Sequence, residues 1–152
     1  VLGGHKLTPA EVKYFYNDCV NKFANDNSSY LSYIMDTSKP LNQQQYSDTQ
    51  TWADFFMDSA LTNARNTYAV YDEAIAKGYT LSDSDQTTID TNMSMLQLYA
   101  SMRGYSSVNK YIAAIYGTGC NETSYRKYME VCQIATSYDT QFRDSLTGDG
   151  GD

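Results

Sequence analysis

Residues 51–78 read TWADFFMDSALTNARNTYAVYDEAIAKG. Thr51 is a hydroxyl residue placed to cap the turn that follows, and Gly78 is the residue type that ends a helix cleanly. Between them Met57, Leu61, Ala64, Tyr68, Tyr71 and Ile75 recur at spacings of four and three. Trp52, Phe56, Ala60, Val70 and Ala74 widen that stripe beyond one narrow face. A helix this long and this broadly apolar needs neighbours on several sides. The stretch therefore predicts the central helix of an all-α domain.

Working toward the amino terminus, residues 25–50 turn to Asn, Asp, Ser, Thr and Gln, with Pro40 and only a short apolar patch from Tyr30 to Met35. This predicts a polar connector holding one helical turn. Before it, Thr8-Pro9-Ala10-Glu11 combines a hydroxyl cap, a proline at the first helical position and a carboxylate placed to close a capping box. Val12, Phe15, Tyr16, Cys19, Val20 and Phe23 then form one stripe, so a first helix is expected over 8–24. Residues 1–7 are expected to be a flexible terminus.

Toward the carboxyl terminus, Ser82 caps a third helix, Asp83 and Asp85 answer its positive end, and Gly104 stops it. Ser106 is expected to cap a short fourth helix ending at Tyr116, before Gly117-Thr118-Gly119. Asn121 caps a fifth running to about Leu146, and residues 147–152 hold no apolar anchor and are expected to be a disordered tail. No useful β alternation and no internal repeat occurs. The expectation is one all-α domain over 8–146 with five helices, residues 51–146 forming a four-helix core.

Composition bounds the function. A chain of 152 residues fits one domain at ~100–200 residues each. Eleven Lys and Arg against eighteen Asp and Glu leave a net charge of −7, which repels a phosphate backbone and argues against nucleic acid as a partner. Aliphatic residues are sparse, but fifteen Tyr, six Met and one Trp supply large apolar bodies from which a core can be built. There is no apolar run of membrane-spanning length, so a membrane enters only through an anchor outside these residues. The amino terminus has neither an initiator Met nor a signal peptide, which reads as a mature or excised piece.

Chemistry-bearing residues are few. His5 is the only histidine. Cys19 and Cys132 fall on apolar helical faces where thiols pack as small hydrophobes, while Cys120 lies in a glycine-rich turn and is the thiol most open to reaction. Three cysteines without a C-x-x-C pair indicate no zinc site. Asp83, Asp85 and Asp90 lack the glycine and glutamate of an EF-hand loop. Neither a paired acid/base site nor a phosphate cradle is present, so no catalytic residue, metal or cofactor is expected.

The third helix is more informative. At 100° per residue, Ile89, Met93, Leu96 and Ala100 share one side, and Met95, Leu98 and Met102 lie nearly opposite. Two faces require two partners. Either the helix is sandwiched inside the domain, or one Met-rich face lines an exposed groove suited to varied apolar segments. The tyrosines admit the same pair of readings, as core rings or as contact surface, with core expected for most.

Ala74, Gly78, Leu81-Ser82-Asp83, Ile89, Gly104, Tyr111-Ile112, Tyr116-Gly117, Gly119, Asn121, Tyr125-Arg126 and Met129 occur in an order that resembles the amino-terminal helical region of SurA/PrsA-type foldases. Residues 51–56 and 104–108 look like a Gram-positive, Clostridia-like branch, and the resemblance covers about 51–140. It implies a secreted or surface-anchored bacterial chaperone module that binds unfolded or extended polypeptide. It also implies that peptidyl-prolyl isomerase chemistry belongs to a parvulin domain, which these residues do not contain. First helices of that family cross to distant partners, so the first helix is expected to be loosely packed or exchanged in a homodimer. Trp52, Phe55, Met95, Leu98 and Met102 are the candidate polypeptide contacts. The alternative is an adaptor docking one specific protein.

Overall fold

A computed structural model of the chain describes residues 5–150, with side chains through 142. The described residues form six α-helices: α1 Pro9–Asp26, α2 Leu31–Ile34, α3 Trp52–Ala76, α4 Asp83–Met102, α5 Val108–Tyr116 and α6 Glu122–Gly150. A 3₁₀ turn spans Leu41–Gln43, and no strand occurs among the described residues. The class is all-α.

Helix starts follow from capping chemistry. Thr8, Thr51 and Ser82 each accept a hydrogen bond from the backbone N–H three residues on, at 3.1, 3.2 and 3.0 Å. Glu11, Asp54 and Asp85 return their carboxylates to the caps' own N–H groups, completing three capping boxes. At α5 the cap is Ser107 rather than Ser106; its hydroxyl accepts from Lys110 N at 3.1 Å. Asn121 Oδ1 accepts from Ser124 N at 2.9 Å and opens α6.

The stops of α3 and α4 share one geometry. Gly78 and Gly104 take φ of +75° and +80°, a region open to glycine at no steric cost. The next residue then bonds back five positions, Tyr79 N to Ala74 O and Tyr105 N to Ala100 O, both at 2.9 Å. Each motif aims an aromatic ring at a neighbour: Tyr79 meets Tyr138, and Tyr105 meets Tyr111.

Rather than lying loose, α1 packs on its own chain. It runs antiparallel to α3, with Glu11 against Tyr68, Cys19 against Asn63 and Phe23 against Phe56. Ala60 and Ala64, one turn apart on α3, are fully buried, and their small side chains let α1 approach closely. Tyr14 and Phe15 of α1 fill the space between α3, α5 and α6 together with Ile112, Tyr128 and Val131. The Tyr14 hydroxyl lies 2.6 Å from Ser124 Oγ and donates to Asn121 O at 3.2 Å, so this core ring keeps a satisfied polar tip at the head of α6.

Several expected boundaries shift. The first helix continues past residue 24 to Asp26, and α6 continues past Leu146 to Gly150. The tail expected over 147–152 is thus helical as far as it is described, and residues 151–152 lie outside the described residues. At the other end residues 1–4 also lie outside. His5 is not free: its Nε2 meets Asp72 Oδ1, its ring lies 4.5 Å from that of Tyr68, and Leu7 packs against the core. The connector folds back onto α3 through Trp52 N to Gln44 O at 3.0 Å and a bridge between Gln45 and Thr51.

Candidate functional site

The inner face of α4 is covered and the outer face is not. Ile89, Met93 and Ala100 are 1%, 5% and 3% exposed, and Leu96 packs against the main core. Met95, Leu98 and Met102 are 38%, 51% and 72% exposed. The packing of α4 explains why nothing lies over them: α6 meets it on the side of Ile89, nearly opposite to theirs. α4 runs antiparallel to α6, with Asp85 Oδ1 accepting from Gln133 and Ser137, and Asp90 paired with Arg126 at 2.8 Å. Extended along that register, α6 begins opposite the middle of α4. The second half of α4 therefore overhangs the start of α6, and α5 supports only one side of it.

Tyr99 and Tyr105 extend the outer face, at 37% and 39% exposed. Arg103 lies over the rings of Tyr99 and Tyr111, at 5.1 and 5.5 Å, and donates to the Tyr111 hydroxyl. Tyr99, Tyr105 and Arg103 were missed as candidate contacts. The spacing of Tyr99 from Met95 and Met102 is the signal that places it there, for a residue type open to both core and surface readings.

Trp52 and Phe55 belong to a different cluster. They stand at the start of α3 among Phe23, Tyr46 and Phe56, with ring centroids 4.3 to 6.3 Å apart along these contacts. Trp52 is 7% exposed, which corrects its place among the free contacts: Phe23 and the returning connector cover the indole. Phe55 is half-buried. Beside this cluster an apolar hollow of about 290 Å³ lies between α1 and the connector, lined by Val20, Phe23, Leu31, Met35, Leu41 and Phe56. The five candidates are thus divided between a closed aromatic cluster and an open helix face.

A more polar region separates α1 from α6. Two hollows of about 290 and 270 Å³ share Asp18, Tyr128, Cys132 and Thr136. The Tyr128 hydroxyl donates to the Asp18 carboxylate. Desolvation raises the Asp18 carboxyl above its usual range, opposed by that hydrogen bond. Burial pushes the Cys132 thiol up to about 12, so at neutral pH it is protonated and a poor nucleophile. Cys19 is raised by burial as well. Cys120, expected to be the available thiol, is 3% exposed because its turn tucks under Tyr14 and Ile112. His5 pairs with Asp72 rather than with any cysteine. Among the described residues no group of three His, Cys, Asp or Glu is arranged to hold a metal ion, and no described helix is long and apolar enough to cross a membrane.

No family model, curated protein or solved structure matches the chain.

Proposed function

We propose that this domain holds unfolded or extended polypeptide by non-covalent apolar contact, as the client-binding module of a SurA/PrsA-type extracytoplasmic foldase. One observation carries the reading: Met95, Leu98 and Met102 form an uncovered face on a helix whose opposite face is buried. Burying a Met or Leu side chain is worth about 1.5–3 kcal/mol, so a client segment covering this face recovers a useful binding energy. The unbranched thioethers change rotamer readily and accept apolar side chains of different shape. No covalent step is assigned to the chain.

The test is suppression of aggregation of a chemically denatured client, with the wild type set against Met95→Gln/Leu98→Gln/Met102→Gln. The expected result is suppression by the wild type and its loss in the triple variant. A wild type that leaves aggregation unchanged, or a triple variant as effective as the wild type, overturns the reading. A stoichiometric complex with one partner and no effect on unrelated clients assigns the domain to the adaptor class instead.

A further inference from the structure

From residue 91 to residue 121 the chain contains no Asp or Glu, although eighteen occur in the whole sequence. Arg103 and Lys110 are the charged residues of that stretch. It covers the second half of α4, all of α5 and the turns beside them. Half of the large apolar side chains left exposed among the described residues fall within it, Leu98 and Met102 among them. The open apolar face therefore lies in a stretch whose own charges are all cationic, on a chain of net charge −7.

Arg103 is built into this face. Its guanidinium is held over Tyr99 and Tyr111, which fixes its plane and lowers the entropy lost when it binds an anion. Neither Arg103 nor Lys110 forms an ion pair among the described residues. Of the flanking acids, Asp90 is paired with Arg126, and Glu122 borders the Lys110 end of the stretch, its backbone N–H donating to Asn109 Oδ1 at 2.8 Å. A third cation, Lys13 of α1, is held at the end of α5 by donating to Thr118 O at 2.5 Å.

We infer that the outer face of α4 selects extended polypeptide segments whose apolar residues are flanked by Asp or Glu. The inference rests on the polypeptide-binding reading and names its substrate class. Charge complementarity chooses this occupant over an anionic surface. Exposed charges are screened beyond about 8–10 Å in ordinary salt, so a short segment lying on α4 senses mainly Arg103 and Lys110. A membrane plane or a long phosphate backbone faces a much larger part of a strongly acidic chain and is repelled by it.

The test uses the full chain and three labelled peptides with the same apolar residues, flanked by Glu, by Gln or by Lys, with binding followed by fluorescence anisotropy. Two exposed charge pairs predict that the Glu-flanked peptide binds about threefold to tenfold more tightly than the Gln-flanked one at low salt. The Lys-flanked peptide should be weakest, and the differences should shrink as salt is raised. Arg103→Gln/Lys110→Gln should lose the preference for Glu over Gln. Because Arg103 supports two rings, Lys110→Glu serves as a second variant that leaves this stack in place, and it should reverse part of the preference. Equal binding of the three peptides overturns the charge selection while leaving the apolar reading intact. No binding of any peptide overturns the apolar reading itself. Tighter binding to vesicles containing phosphatidylserine than to the Glu-flanked peptide assigns the face to membrane and overturns the inference.

Discussion

α3 and α4 are both long, both start in a capping box and both end in the same glycine turn, yet they meet opposite fates in the fold. α3 has α1 along one side and α6 along another, and it buries Trp52, Phe56, Ala60, Ala64, Tyr68 and Ala74. α4 buries only Ile89, Met93 and Ala100, because α5 and α6 cover one side of it and leave the other open. An apolar side chain becomes core when a partner helix reaches it. Otherwise it remains exposed to water.

The largest expected effect tests whether the α1–α3–α6 side is as closed as its burial implies. Desolvation pushes Tyr14 up to about 12, and Tyr68, Tyr116, Tyr125 and Tyr128 are likewise raised by burial. In the unfolded chain these phenols ionise near 10. A raised folded value means that the native state keeps its protons longer than the unfolded state. The stability these rings contribute is complete below about pH 10 and is lost as pH rises toward and past 12. The expected outcome is a cooperative loss of helical circular dichroism above pH 10, with phenolate absorbance rising in the same step. Gradual ionisation with the helices intact would show that the tyrosines are not sequestered.

A smaller but still severe effect is expected from Phe56→Ala. Phe56 is 2% exposed and sits among the rings of Phe23, Trp52 and Phe55, with centroids 5.3, 5.8 and 5.4 Å away. Truncation leaves a cavity that rigid neighbouring rings cannot fill, at a cost of about 3–5 kcal/mol. Urea unfolding should show a clearly lowered midpoint. A midpoint close to wild type would mean that this cluster is loosely packed and that α3 and α4 differ less than their burial suggests.

Much of this contrast was legible in the residues. Thr8, Thr51 and Ser82 announce their helices because capping is local chemistry, and Gly78 and Gly104 announce stops for the same reason. The two faces of α4 were also legible, since periodicity assigns angles around a helix. Which face is covered was not. That depends on which side of α4 receives α6, a choice tied to Asp90 with Arg126 and Asp85 with Gln133, pairs separated by 36 and 48 positions. Trp52 misled for a related reason. A ring at a helix start looks free until the connector brings Tyr46 back over it and α1 brings Phe23. Cys120 looked available in its glycine-rich turn, but the fold closes over that turn from α1.

The smallest expected change in stability is the one that separates the two helices most clearly. Leu98 and Met102 already face water in the folded chain, so replacing both by Ser removes little buried area and opens no cavity. Each substitution should change stability by no more than about 0.5 kcal/mol, because exposed positions away from caps and buried networks contribute little to folding. Serine is a slightly poorer helix former than leucine or methionine, which accounts for a few tenths of a kcal/mol of loss. Urea unfolding checks this directly. If Leu98→Ser/Met102→Ser unfolds like the wild type, the apolar character of this face contributes nothing that the isolated fold requires. A loss comparable with that of Phe56→Ala would instead show that the outer face of α4 is covered in solution, and the contrast with α3 would vanish.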